Sequence, residues 1–247
     1  MDRRSQGMSM RARARGSRSL LLGLWVMGLA ACQTTPPESP APAPTATAPG
    51  PELTIPSGAD AFQVDAAASL LQIFVYRGGA MARLGHNHVI ASRHLAGAVY
   101  VTRDPLDTRF DVNFPVSELT IDEPGLREAA GADFPPQVPQ SAREGTRTNL
   151  LSEALLDAAN HPQIRLRTTD VRTAQGGYDV GVQVSFRGSN YSMRVPVAVS
   201  RDSGALVATG EFALKQSDLG LRPFSVAMGT LVVLDEMKVR FKLTARQ

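Results

Sequence analysis

Hydrophobic and polar side chains alternate along the last third of the chain, as they do in β-strands with one buried face. Residues 178–186 place Tyr, Val or Phe at every second position. The period of two continues over 191–199 and 206–214, and from Leu231 to Leu243 it predicts one long strand whose polar face carries Lys and Arg. The turn residues Asp-Ser-Gly at 202–204 predict an antiparallel hairpin.

Four more strands are predicted upstream, at 71–75, 95–101, 110–116 and 164–166, where branched and aromatic residues again recur at short spacing. The total is about eight antiparallel strands. The fold class is therefore all-β, and either a closed barrel or a sandwich fits the pattern. A barrel of this size has room for one small apolar ligand.

One or two short helices interrupt the strands. Asn149 can cap a helix, Leu and Ala share one face of 151–158, and Asn160 before Pro162 ends the pattern, so we predict a helix over 149–160. A weaker helical turn is predicted over 124–130. Residues 131–145 contain three prolines and show no period, which predicts an exposed loop.

One face of the later strands is a candidate lining for a ligand. These side chains either contact an apolar ligand or fill a solid core, and alternation alone does not say which face points inward. The candidate ligand-binding residues on these strands are Val180, Val182, Val184, Phe186, Met193, Val195, Val197, Phe212, Leu214, Val239 and Phe241.

The first 31 residues have the order of an export signal. Six arginines precede an apolar run from Leu20 to Ala30 that is too short to span a bilayer stably, and Cys32 follows Leu-Ala-Ala. The pattern resembles a bacterial lipoprotein signal, in which the cysteine is acylated and becomes the lipid-anchored N-terminus. The alternative is an ordinary secretory peptide with a chance cysteine. By the same resemblance, Gln33 after the cysteine favours the outer membrane, facing the periplasm.

The chain after the signal is near-neutral and consists of two segments of different composition. Six arginines and Asp2 lie in the signal, so the chain's 26 basic and 23 acidic residues become 20 and 22, which leaves no basic surface for nucleic acid. Residues 32–59 are rich in Pro, Ala and Thr and form an extended tether, and 60–247, which hold the predicted strands, form one domain. With one cysteine, the chain forms no internal disulfide.

Three of the four histidines, His86, His88 and His94, lie within nine positions. In an extended segment His86 and His88 point to the same side and could share a zinc or copper ion with His94, although no Asp or Glu lies between 66 and 103 to complete the site. The favoured alternative is a tight turn whose imidazoles bond carbonyls or a hydroxyl. A third reading is contact between His86, His88 and a ligand headgroup.

No catalytic motif is present. Ser69, Ser185 and Ser225 lack the Gly-x-Ser-x-Gly frame, and no His-Glu-x-x-His sequence occurs. Glu118, Asp122 and Glu123 could pair as acid and base, but their position before Pro124 favours a solvated turn. We therefore expect no enzyme and no resident cofactor.

Several segments together resemble the YceI-like family. They are Phe62 to Asp65, LLSEALLDAANHP at 150–162, the strand 178–187, FALKQSDLGL at 212–221 and VVLDEMKVRFKLTA at 232–245. The resemblance spans roughly 62–245. It implies a lipocalin-like antiparallel barrel in the periplasm or outside the cell, with an apolar tunnel that binds a polyisoprenoid or other lipid chain. Ala67, Ala68 and Ser69 stand where the family often has His-Ser, and the proline-rich segment 131–145 is an insertion.

These observations leave three hypotheses. The favoured one is non-enzymatic lipid binding or carriage in the cell envelope, with the membrane reached through the lipid anchor. The alternatives are a histidine-cluster metal or redox protein and a purely structural envelope partner, which a completely packed interior would favour. The sequence leaves the oligomeric state open, a homodimer included.

Overall fold

The computed structural model of the protein describes residues 53–247. The signal 1–31, Cys32 and the tether up to residue 52 lie outside the described residues, so the anchor and the tether stay predictions. The first strand begins at Asp60. Within the described part of the chain, no helix has the length and apolar character needed to cross a membrane.

Residues 53–247 are mostly strands. The strands are β1 (Asp60–Val64), β2 (Leu70–Val75), β3 (Arg77–Gly78), β4 (His88–Ser92), β5 (Ala96–Val101), β6 (Arg109–Pro115), β7 (Thr120–Ile121), β8 (Gln163–Ala174), β9 (Gly177–Phe186), β10 (Ser189–Asp202), β11 (Ala205–Lys215), β12 (Ser225–Val226), β13 (Leu231–Val233) and β14 (Glu236–Arg246). The helices are α1 (Pro124–Ala130) and α2 (Gln140–Leu151).

Eight strands form a closed antiparallel ring. Its order is β1, β5, β6, β8, β9, β10, β11 and β14, and it closes where Val64 of β1 pairs with Ala245 of β14. The predicted all-β, lipocalin-like barrel of about eight strands is confirmed, and the sandwich is excluded. Closure gives each ring strand a neighbour on both sides, so no strand of the ring is the edge of an open sheet.

Three short strands extend the wall at one end of the barrel. Strand β2 continues β1 along β14, β4 pairs with β2, and β7 pairs with β4. We call this end, where β2, β4 and β7 lie, the capped end. The opposite end, with the turns at 175–176 and 203–204, is the far end. Ser203 and Gly204 both have positive φ, as in the two-residue turn that joins twisted antiparallel strands, so the predicted hairpin is confirmed.

Two predictions near the middle of the chain are wrong. The helix predicted over 149–160 lies earlier, at Gln140–Leu151, and residues 152–160 form turns in which Asp157 adopts a positive φ of 46°. The loop predicted over 131–145 therefore includes the first half of α2. The helical turn predicted over 124–130 is confirmed as α1.

The strand predicted from Leu231 to Leu243 is divided in the structure. Its first part is β13, which pairs with β12 and β3 in a separate small sheet, and its second part is β14 of the barrel. The division at Leu234 and Asp235 positions a small three-stranded sheet beyond the capped end.

A second apolar cluster lies outside the barrel wall. Phe74 and Val89, on the outer faces of β2 and β4, pack with Phe134 from the segment after α1. The Phe74 and Phe134 rings meet edge to face with their centroids 5.5 Å apart. Because Phe134 is buried, residues 131–139 cover the wall here and are not a fully exposed loop.

Candidate functional site

A cavity of about 580 Å³ lies inside the barrel. Its wall is built mainly of valine, leucine, isoleucine, phenylalanine and methionine side chains from strands around the ring, with a few polar side chains such as Thr168 and Gln216. The interior is thus not packed from end to end, unlike the dense core expected of a purely structural domain. The space falls within the range of known small-molecule pockets, about 300–1,000 Å³.

All eleven candidate ligand-binding residues predicted on β9, β10, β11 and β14 line this cavity. The strand register explains why they meet. Val182 of β9 is directly opposite Met193 of β10, and Phe212 of β11 is opposite Val239 of β14. Side chains directly opposite in an antiparallel pair point to the same face, so one inward face continues from strand to strand. That they contact a ligand stays a prediction.

Other strands contribute to the wall in the same way, although their residues are not among the predicted ligand-binding candidates. Their period of two could have identified them once a closed barrel was assumed. The principal members of this group are Leu71, Ile73, Val75, Ile90, Val99, Phe110, Val112, Phe114, Ile164 and Leu166.

Helix α2 and the turns after it close the capped end. Leu150, Leu155 and Leu156 contribute to the cavity wall from this segment. The helix is attached by Arg147, whose guanidinium donates to the backbone carbonyls of Leu119 and Ser117, each at 2.5 Å. No period of the sequence predicted this closure, because it depends on contacts between distant parts of the chain.

At the same end of the barrel, the buried carboxylate of Asp122, directly after β7, forms hydrogen bonds to β4 and to α1. Asp122 is 2% exposed. Its Oδ2 lies 2.6 Å from His88 Nδ1, and its Oδ1 accepts from the Val89 N–H at 2.9 Å and from Arg127 Nη1 at 2.5 Å. The solvated turn favoured for Glu118, Asp122 and Glu123 is therefore wrong for Asp122.

The surroundings of Asp122 favour its ionised form. Burial alone would raise the pKa of its carboxyl, but the hydrogen bonds from His88, the Val89 N–H and Arg127 outweigh burial and hold that pKa below its ordinary value. Asp122 also has a positive φ of 57°, an uncommon backbone conformation that these contacts maintain.

Arg127 is the positive partner of this carboxylate and is itself only 1% exposed. Its Nε donates to the Pro135 carbonyl at 2.8 Å, and its Nη1 donates to the Asn87 carbonyl at 2.7 Å. The guanidinium also lies 5.8 Å from the centre of the Phe134 ring. Both buried charges, those of Arg127 and Asp122, therefore have an opposite charge and hydrogen-bond partners, which burial of a charge requires.

His88 connects this ion pair to helix α2. A carboxylate only accepts hydrogen bonds, so Nδ1 carries the proton that faces Asp122. On the other side of the ring, Nε2 lies 3.2 Å from Thr146 Oγ1, and that hydroxyl lies 2.9 Å from the Ala142 carbonyl of its own helix. His88 therefore contacts a hydroxyl, as the predicted alternative allows, but it is the first residue of β4 and does not lie in the tight turn of that alternative.

Of the other two histidines, His86 lies close to His88, whereas His94 lies apart from it. The His86 ring centroid is 6.0 Å from that of His88, whereas exposed His94 lies 3.9 Å from Glu118. Among residues 53–247, no three His, Cys, Asp or Glu side chains are placed to hold a metal ion. The zinc or copper site of His86, His88 and His94 therefore has no assembled geometry here and stays an untested prediction.

We expect acid to lower the free energy of unfolding in two pH windows. Burial, followed by the positive charges of His88, Arg77 and Arg127, lowers the pKa of His86 below 6.5, so the unfolded chain binds a proton first as the pH falls below that value. The unfolded chain also protonates Asp122 first below pH 3.8. In both windows the unfolded state binds more protons, so stability rises with pH. Urea unfolding from pH 8 downward should show both losses.

The His86→Asn variant separates the two windows. It should unfold with little change in stability between pH 7 and the onset of carboxyl protonation, while the loss at lower pH remains. If the variant kept the full loss near pH 6, His86 would not be its cause.

The chain is similar to one family of proteins. The family model of the YceI-like domain matches residues 62–245. The crystal structure of BcnA from Burkholderia cenocepacia is 17% identical with a TM-score of 0.53, and the alignment covers 74% of this chain and 99% of BcnA. The Campylobacter jejuni YceI protein is 7% identical with a TM-score of 0.42, covering 62% and 81%. Among curated proteins, none matches the chain. At this identity the likeness to BcnA shows the fold.

Proposed function

Because the chain belongs to the YceI-like family, whose model spans residues 62–245, we propose that its barrel binds one apolar lipid chain, isoprenoid-like in character. The protein then acts as a carrier, buffer or scavenger in the cell envelope and catalyses no reaction. Zinc and copper have no part in this function.

The cavity is the observation that carries the proposal. An apolar chain in water exposes hydrocarbon surface, and its transfer into an apolar wall is favourable by about 25 cal/mol for each Å² removed from water. A space of about 580 Å³ with a mainly apolar wall can take up a single chain by burial of hydrocarbon surface alone. Binding therefore needs no catalytic residue.

The polar groups at the capped end support a binding role more than a chemical one. Thr146, His88 and Asp122 follow the order hydroxyl, imidazole and carboxylate, which in other folds activates a nucleophile. Here the Thr146 hydroxyl is within hydrogen-bond distance of a carbonyl of its own helix, and Asp122 is shared with Arg127. The three groups attach α2 to the barrel.

His86 is the histidine that we assign to a ligand headgroup. It is partly exposed, and within residues 53–247 no hydrogen bond holds its ring, whereas His88 is bonded on both sides. One turn before Arg147, the buried Nε of Arg143 has no hydrogen-bond partner among the described residues. Neither His86 nor Arg143 lines the cavity itself, so we assign them to an anionic headgroup outside it at the capped end, to which each is a hydrogen-bond donor, His86 when it is protonated.

We place the barrel in the envelope on the basis of the predicted lipoprotein signal. Acylated Cys32 anchors the chain to the outer membrane, and the tether, at about 3.1 Å per residue where proline keeps it extended, holds the barrel in the periplasm. A near-neutral mature chain without a basic surface fits a lipid ligand and not nucleic acid.

Native mass spectrometry of the full chain, extracted in mild detergent from the membranes of a bacterial host that processes lipoproteins, tests these assignments together. We expect one added lipid mass that organic solvent extracts, a mature mass that begins at acylated Cys32, and zinc and copper at background. Repeated preparations with an empty barrel would contradict lipid binding and favour the structural alternative. Stoichiometric metal that is lost in His86→Ala would favour the metal alternative, and an unacylated mass would remove the anchor.

A further inference from the structure

A small lobe projects beyond the capped end of the barrel. It comprises residues 76–86, with β3, and residues 222–234, with β12 and β13. It continues the β2 and β14 pair outward, since Val233 pairs with Arg77 and the Leu234 N–H donates to the Tyr76 carbonyl at 2.7 Å. The Met81 N–H donates to the Thr230 carbonyl at 2.8 Å and joins the two halves.

The lobe concentrates exposed apolar side chains. Eight large hydrophobic residues are exposed among residues 53–247, and five of them belong to the lobe. Scattered exposed hydrophobic residues are normal on protein surfaces, but a cluster indicates a surface that contacts another apolar phase. The five residues are Met81, Leu84, Val226, Met228 and Leu234.

Met228 forms the tip of the lobe and is unfavourable there for an isolated protein in water. Its side chain is fully exposed, and its backbone has φ 54° and ψ 37°, in the left-handed region. Gly229 follows with φ 85°, so the two residues have the backbone of a tight turn in which Asn-Gly is the usual pair. A methionine at this position is strained and exposed at once, which points to a role in contact.

The charge of the lobe is positive, which favours a partner with a negatively charged surface. Residues 76–86 and 222–234 contain Arg77, Arg83 and Arg222, all exposed, and no Asp or Glu. Exposed Met and Leu side chains beside arginines are typical of segments that settle into the interface of a bilayer with anionic lipids.

The lobe stands beside a break in the barrel wall. Strand β10 pairs with β11 only over Ala198–Asp202, whereas its first part pairs only with β9. Toward the capped end, β10 and β11 are therefore not paired with each other. The segment that leads from β11 to the lobe crosses this break, with Gly220 against the Tyr191 ring and with Leu219 and Leu221 in the cavity wall.

We propose that the lobe docks on an anionic bilayer surface and that the lipid chain enters the cavity through the break between β10 and β11, an inference that rests on the proposed function. Docking buries the exposed Met and Leu side chains in the interface while the arginines meet lipid phosphates. The ligand then passes between membrane and cavity without crossing water.

A fluorescence experiment on the full chain tests the docking. In a Cys32→Ser background, a polarity-sensitive fluorophore is attached at Met228→Cys or, as a matched control, at Leu106→Cys, an exposed position at the far end. Any recruitment to vesicles by the N-terminal segment is common to both. We expect a blue shift at 228 only, with vesicles containing phosphatidylglycerol and not with phosphatidylcholine alone, and a smaller shift at high salt.

Three results would overturn the docking: equal shifts at 228 and 106, equal shifts with both vesicle types, or no shift. A shift at 228 without vesicles that grows with protein concentration would indicate a second copy as the partner and would overturn it as well.

A second variant distinguishes docking from ligand binding. Met228→Gly relieves the backbone strain, so the melting temperature should not fall, while uptake of dansyl-labelled geranylgeraniol from phosphatidylglycerol vesicles should slow about tenfold. Binding of the same probe delivered in detergent should be unchanged, and Leu106→Gly should not slow uptake. Uptake as fast as in the parent chain would contradict the docking proposal. If the parent chain did not bind the probe delivered in detergent, the proposed function would be contradicted instead.

Discussion

The Asp122→Ala variant should lose about 3–5 kcal/mol of the free energy of unfolding, the cost typical of breaking a buried ion pair from one side. The substitution leaves Arg127 buried without its carboxylate and removes the acceptor of His88 Nδ1 and of the Val89 N–H. Equilibrium unfolding in urea at pH 7 measures the loss. Since His88 also contacts Thr146, the helix that closes the capped end should loosen in the same variant.

A double variant shows whether the cost comes from the uncompensated charge. Arg127→Met with Asp122→Ala removes both charges and keeps an apolar side chain over Phe134, so it should be more stable than Asp122→Ala alone. As a control, Glu211→Ala removes an exposed partner of Arg240 and should cost about 1 kcal/mol or less. A loss as small in Asp122→Ala as in Glu211→Ala would contradict the structural role of the buried pair.

The sequence predicts the strands of the barrel well because each strand is indicated by residues that are close together in the chain. The alternation over 178–186 and 206–214 depends only on near neighbours, and the turn at 202–204 carries the residues that its backbone needs. The eleven inward positions follow from the same alternation on β9, β10, β11 and β14 once the ring closes. Ring closure itself requires Val64 to meet Ala245 across nearly the whole domain. The count of strands left a barrel and a sandwich open, and the family resemblance favoured the barrel.

The site at the capped end could not be predicted in the same way. His88 and Asp122 are 34 positions apart, and nothing near Asp122 in the sequence indicates that Arg127 is buried beside it. Helix α2 was misplaced because its sequence includes Gly145 and Thr146, which favour other structures, and because it is stabilised by contacts of Arg147 with carbonyls of a distant loop. Such contacts belong to the tertiary structure and not to any local pattern.

Alternation also cannot separate a hollow barrel from a filled one, since both place the same side chains inward. Met193 and Val182 would have the same period in a solid core. The structure separates the two cases through the space that the side chains leave, about 580 Å³. A substitution that occupies this space therefore acts on the ligand and not on the fold.

Filling the cavity should weaken ligand binding strongly with little effect on stability. The Val182→Phe and Met193→Trp changes together enlarge two directly opposed side chains that line the cavity, so they compete with a bound chain for the same volume. We expect at least about a tenfold loss of affinity for dansyl-labelled geranylgeraniol in a fluorescence titration, because a chain with fewer apolar contacts keeps more surface in water. In a packed core the same enlargement would cost about 1–3 kcal/mol per site.

Measuring both affinity and stability lets the cavity-filling test separate a hollow barrel from a packed one. Ser192→Trp adds an equally large ring on the exposed outer face beside Met193 and should change neither affinity nor stability. If the filled variant bound the probe like the parent chain, the ligand would lie elsewhere. If it lost stability by several kcal/mol, the interior would behave as solid core, and the barrel would have no room for a lipid. Retained stability with lost binding is the combination that only a hollow, ligand-binding barrel produces.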